Sequence, residues 1–119
     1  MASFVKSSPE MLARFDELAA LVDDADRRLM FGYPSLTLNG NMFMSLYEQS
    51  LILRLSDDDR REFTGEFGDA VEFSPMPGRP MKSYVVVPAE VTAGAAVERW
   101  VLRSRAYAET LPPKKPKRT

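Results

Sequence analysis

The residues whose types and spacing could do chemistry gather in one short stretch, Pro75-Met76-Pro77-Gly78-Arg79-Pro80, with Lys82 just beyond it. Three prolines stiffen the backbone there, and Gly78 lets it turn or approach a ligand closely. Arg79 and Lys82 set two cations near one another, a pair suited to a phosphate or carboxylate, which arginine holds through a bidentate fork. Gly78, Arg79, Lys82 and Tyr84 are therefore the candidate anion- or partner-binding residues, with Tyr33 as a further neighbour. The plainer alternative is a rigid hairpin turn whose cations pair with Asp57 to Asp59 or with Glu72, the tyrosines being ordinary sheet residues.

Other chemistry is excluded by composition. The 119 residues contain neither histidine nor cysteine. That removes the commonest general base near neutral pH, the usual activators of serine and cysteine nucleophiles, and the commonest metal ligands. The expectation is a non-enzymatic chain that uses no cofactor and no metal. Asp57-Asp58-Asp59 might suggest a hard-cation site, but consecutive acids in a first helical turn diverge around the axis and the spacing of a calcium loop is missing, so they are read as capping acids. The methionines at 42 and 81 are read as core.

Charge is unevenly spread. The net charge is −1, yet Lys114, Lys115, Lys117 and Arg118 crowd the last eight residues. Removing those four from the 16 basic residues leaves 12 against 17 acidic ones. An acidic body is a poor surface for a phosphate backbone, so only the tail or a local patch could attract nucleic acid, weakly and with strong salt dependence.

The elements that must position these groups are legible in outline. Ser8-Pro9-Glu10 is a helix cap with proline in the first turn, followed by an apolar stripe at Met11, Phe15, Leu18, Val22, Ala25 and Leu29. A meander of three strands then follows through Asn39-Gly40, the strongest hairpin signal in the chain, and the polar Glu48 to Ser50, with a further short strand around Met30 to Tyr33. Ser56 caps a short middle helix ending near Gly65 or Gly68. Val71 to Ser74 and Met81 to Val87 form a second hairpin around the Pro75–Pro80 loop. Thr92 is the expected cap of a final helix reaching about Thr110, with Ala96, Val97, Trp100, Val101, Ser104 and Ala108 near one face. Strands bracketed by helices predict an α+β fold: an antiparallel sheet packed with N- and C-terminal helices plus the short middle one. Residues 1–111 make one domain and 112–119 a disordered basic Pro/Lys tail. No apolar run reaches membrane-spanning length and the start lacks a secretory signal, so the chain is placed in the cytoplasm.

Several of these segments form a recognisable series: Arg28 with Met30-Phe31-Gly32, Asn39-Gly40, Met42-Phe43, Leu51 to Leu55, and Met81 with Tyr84 to Pro88. In order and spacing they resemble the TfoX/Sxy N-terminal domain family, over about residues 8 to 111. Tyr33-Pro34 stand where many members carry a second glycine. The resemblance implies an antiparallel sheet between terminal helices, in agreement with the residue-level reading. The family takes its name from competence regulators that act as transcription coactivators and carry a second domain, and this chain ends where that domain would begin. The expected function is a binding or regulatory module related to transcription or acting as a protein-interaction adaptor, with protein as partner and homodimerisation open. The alternatives are weak nucleic-acid binding through the tail and Arg79/Lys82, and a small-ligand-binding domain or enzyme with an anion site at the proline-rich loop.

Overall fold

The computed structural model describes residues 5–68, 71–76 and 79–113. Ser8 accepts the Met11 N–H at 3.1 Å and starts α1, Pro9–Ala19, which tightens into a 3-10 turn over Ala20–Val22. The helix stops there, and the apolar stripe does not continue to Leu29. Residues Asp26–Met30 are instead strand β1, and Leu29 is 75% exposed. Its three-and-four spacing fitted a helix, but pairing with the next strand, an interaction that periodicity cannot register, decides the segment.

Three two-residue hairpins then follow in succession, joining β1 to β2 (Tyr33–Leu38), β2 to β3 (Asn41–Tyr47) and β3 to β4 (Ser50–Arg54). Their turns carry positive φ at Phe31 and Gly32, at Asn39 and Gly40, and at Glu48. Paired positive φ values match the right-handed twist of the flanking strands, which is why Asn39-Gly40 was readable and why Phe31, a costlier residue in that region, was not.

Ser56 accepts the Asp59 N–H at 3.2 Å and caps α2, Asp57–Phe67. The helix closes on Gly68 at φ 88°, ψ −179°, a region essentially reserved for glycine. Beyond it, β5 spans Val71–Met76 and β6 spans Arg79–Val87. The stretch expected as a Pro75–Pro80 loop is thus mostly strand: ladder pairing of Met76 with Arg79 draws it into the hairpin, and two register shifts absorb the irregularity. The C-terminal part holds α3, Ala89–Ala93, and α4, Ala96–Thr110. Thr92 does not cap α4. It lies inside α3, where its Oγ1 donates to the Pro88 carbonyl at 3.1 Å, and α4 begins after Ala95 without a side-chain cap.

The sheet has six strands in the order β1-β2-β3-β4-β6-β5, all antiparallel, so the fold is α+β. Alternation assigns Leu51, Leu53 and Leu55, with Met44, Leu46, Val85 and Val87 beside them, to the face packed on the helices. Phe15 and Leu18 of α1, Phe63 of α2, and Val97, Trp100, Val101 and Ala108 of α4 complete that core. Arg14 ties the helical layer together by donating to the carbonyls of Thr92 at 2.8 Å and Gly94 at 2.9 Å. No helix among the described residues is long and apolar enough to cross a membrane.

The other face of the sheet is folded inward. Tyr47 on β3 and Phe73 on β5 lie three strand spacings apart, about 14 Å in a flat sheet, yet their rings meet at 5.3 Å. The bulges between β2 and β3 and between β5 and β6 supply the bending. As a result Ile52, Phe73 and Met42 are buried although they face away from the helices, and Met81 is half-buried.

The end of the first helix is pinned by charge as well as by packing. Arg105 of α4 grips Asp24, and that hydrogen bond above all holds the Asp24 carboxyl below its ordinary value of 3.8, against the opposing effect of desolvation. A lowered carboxyl adds stability above its unfolded value and loses it as pH falls through the folded one. The pair is solvent-exposed, so the contribution is small. Asp24→Asn is therefore expected to be slightly less stable than wild type at pH 7 and to match it at about pH 2, as urea midpoints at the two pH values will show.

Candidate functional site

A charge set inside an apolar strand must find its partners across the sheet. In Leu51-Ile52-Leu53-Arg54-Leu55, Arg54 falls on the face away from the leucines and stands opposite Tyr84 of β6. Its guanidinium carbon lies 5.5 Å from the Tyr84 ring centroid and 5.8 Å from that of Tyr107 on α4. Cation–π contacts of this kind hold the head group without neutralising it. Tyr84 is itself fixed, donating its hydroxyl to the Met42 carbonyl at 3.1 Å. Burial raises the Tyr84 pKa above its ordinary value, with the charge and hydrogen bond of Arg54 pulling in the opposite direction.

The aromatic contacts extend from this point across the curled face. Tyr84 meets Phe73 at 6.2 Å, Phe73 meets Tyr47, and Tyr47 meets Tyr33 at 5.1 Å and Phe31 at 6.2 Å. Tyr33 is buried, donates its hydroxyl to the Val5 carbonyl and belongs to the core cluster. Intervening rings link it to Tyr84. Beside Tyr107 an open cleft of about 420 Å³ is lined by Ser56, Asp59, Arg103, Ala106, Tyr107 and Thr110.

Most of the other described arginines are already matched. Of the nine arginines whose side chains are described, seven hold a carboxylate: Arg14, Arg27, Arg60, Arg61, Arg99, Arg103 and Arg105. The three consecutive acids of α2 take part in this. Asp57 pairs with Arg60, Asp58 with Arg61 and Asp59 with Arg103. Their first-turn position still favours the helix dipole. The two arginines outside these pairs are Arg28, exposed on β1, and Arg54, half-buried.

Among the residues singled out from sequence, Tyr84 is in this cluster. Arg79 and Lys82 lie on β6, but their side chains fall outside the described residues, as do Gly78 as a whole and Lys114, Lys115, Lys117 and Arg118 of the tail. At the start of that tail, the Asn41 side chain donates to the Pro112 carbonyl at 3.0 Å. Arg54 and Tyr107 were not foreseen. Arg54 had a signal, a lone cation flanked by leucines, whereas Tyr107 had none beyond its place on the final helix.

A second feature lies at the sheet edge. Among the described residues β1 pairs on one side only, its residues Asp26 to Leu29 are all exposed, and Phe31 in the following turn is 46% exposed. An open strand of this kind offers unpaired backbone donors and acceptors to an incoming chain.

Sheet order and terminal helices define an α+β domain. The family model for the TfoX N-terminal domain matches residues 9–108, and the chain belongs to that family. No curated protein and no solved structure matches it.

Proposed function

We propose that this domain is a non-catalytic, regulatory protein-binding module that receives an extended segment of its partner along β1. The observation that carries the reading is the exposure of an apolar residue on a free edge: Leu29 is 75% exposed on a strand that pairs only with β2. Natural edges are usually blunted by covering, by bulges or by charge. Here the neighbouring cations have different standings. Arg27 is held by Asp16 at 2.8 Å, while Arg28 has no carboxylate partner among the described residues. A partner strand with an apolar residue and an acid would satisfy both Leu29 and Arg28. Self-pairing about Arg28 would instead set that residue against its own copy, which charge disfavours. A chain without histidine or cysteine also fits recognition better than catalysis.

The test uses the full chain as bait, with proteins it retains purified and measured again pairwise. Leu29→Glu is expected to weaken binding by about tenfold or more, the scale of one buried apolar anchor lost. Leu102→Glu, at another exposed apolar site, on α4, is expected to bind as wild type. Equal binding by all three proteins sinks the edge assignment. A wild-type dimer that becomes monomeric in Leu29→Glu would show that the occupant is a second copy.

The nucleic-acid reading has one specific support, the basic tail, and one specific obstacle, the pairing of seven of the nine described arginines with acids. It requires binding that disappears when residues 112–119 are removed and falls steeply with salt.

A further inference from the structure

We propose that Arg54 is the anchor of a small oxyanion-binding site, receiving a carboxylate or phosphate group at the end of the sheet between Tyr84 and Tyr107. The inference begins from an imbalance. Placing a guanidinium part-way into the protein is costly unless the charge is paired and its N–H groups are hydrogen-bonded. Seven of the nine described arginines meet that condition with a carboxylate and Arg28 meets it with water, being exposed. Arg54 meets it only in part, through its tyrosine neighbours and partial exposure, with no carboxylate to hold it among the described residues. It is half-buried, has no carboxylate within ion-pair distance among the described residues, and its Nε is buried with no hydrogen-bond partner among them.

The surroundings set the shape of the site. The rings of Tyr84 and Tyr107 lie beside the guanidinium, at 5.5 and 5.8 Å, and hold it without supplying negative charge. A guanidinium carries its N–H donors along its edge, and that fork is the geometry that recognises planar carboxylates and phosphate oxygens. The cluster is fixed from behind. Tyr84 is held by the Met42 carbonyl, and the carbonyl of Arg54 itself accepts from Ser104 Oγ at 2.6 Å. The acid of the adjoining cleft, Asp59, is engaged by Arg103 at 3.5 Å, and Arg103 also takes Glu62 at 2.8 Å. Among the described residues, Arg54 is thus the cation at this end of the sheet without a carboxylate partner. The site is separate from the β1 edge, so its existence does not depend on the protein-binding reading.

The experiment titrates the wild-type chain with sodium phosphate and, separately, sodium acetate, holding ionic strength constant with chloride, and follows the Arg54 side-chain N–H and nearby amides by NMR. Saturable shifts are expected at Arg54, Leu55, Tyr84 and Tyr107. Saturation by phosphate alone assigns a phosphate group, and saturation by both assigns any oxyanion with two acceptor oxygens. Arg54→Gln is expected to weaken binding by about tenfold or more, and Arg54→Lys, which keeps the charge but loses the fork, by several-fold. Arg103→Gln and Leu29→Glu are expected to bind like wild type. Shifts no greater than those of chloride, or equal affinity in folded Arg54→Lys, overturn the proposal. Loss of binding in Arg103→Gln with Arg54→Lys unaffected would move the anion to the cleft and overturn it equally.

Discussion

Replacing Trp100 with alanine is expected to lower the free energy of unfolding by about 3–5 kcal/mol, a large share of the roughly 5–15 kcal/mol that holds a domain together. Trp100 is 0% exposed and joins two helices by edge contacts, its ring 5.2 Å from Phe63 and 6.2 Å from Phe67. Arg99 and Arg103 lie over the same ring at 5.2 and 4.8 Å, so its removal also unseats the cations that pair α4 with α2 through Glu66, Asp59 and Glu62. The final helix cannot close the space by itself, because Ser104 ties it to β3 and β4. The midpoint of thermal unfolding should fall by more than about 10 °C. Urea denaturation with an unchanged slope will separate this loss from a change in the unfolded state.

A comparison with phenylalanine sharpens the point. The indole N–H of Trp100 is buried and has no acceptor among the described residues. An unsatisfied buried donor costs about 1–3 kcal/mol, so Trp100→Phe loses ring area but recovers that penalty. It should be clearly milder than Trp100→Ala. Equal losses in the two variants would mean that the indole N–H has a partner and that the penalty is absent.

The second large effect is expected at Ser104. Its hydroxyl is fully buried and lies 2.7 Å from the Phe43 carbonyl and 2.6 Å from that of Arg54, linking α4 to both β3 and β4. Phe43 is the residue displaced by the irregular pairing of β2 with β3, where Leu36 faces Met44 and Thr37 faces Met42. A helix serine thus supplies a donor where the strand is bent. Ser104→Ala is expected to destabilise by about 1–3 kcal/mol, mostly from desolvated acceptors and little from lost volume. Ser104→Thr retains the donor but overfills a site with no free space, and should also be less stable than wild type. Wild-type stability in the alanine variant would show that backbone donors or water already serve both carbonyls.

Much of the architecture is visible in local chemistry. Ser8 before Pro9 and Ser56 before three acids identify two helix starts, because the cap and the dipole act within one turn. Asn39-Gly40 identifies a hairpin because few residues adopt positive φ cheaply. The buried face of α4 is likewise readable from Val97, Trp100, Val101, Ser104 and Ala108. Where local signals conflict with pairing across the chain, they mislead. Leu29 extends a helical stripe in sequence but is a strand residue, and Thr92 looks like a cap but hydrogen-bonds back to Pro88 inside a separate short helix. Pro75 and Pro80 suggest a loop, although the strands run to Met76 and from Arg79.

By itself the sequence determined the α+β class, the family, the absence of histidine and cysteine chemistry, and most element starts, since each depends on composition or on residues within a turn of one another. Only the tertiary structure decided which cations are engaged. Seven arginines meet acids, several of them far away in the chain, as Arg105 meets Asp24, and no periodicity encodes such a meeting. Only the curl of the sheet brings Phe73 of β5 to Tyr47 of β3 and sets Arg54 between a strand tyrosine and a helix tyrosine. The partial burial of Arg54 without a carboxylate partner among the described residues likewise depends on residues that the fold alone brings together.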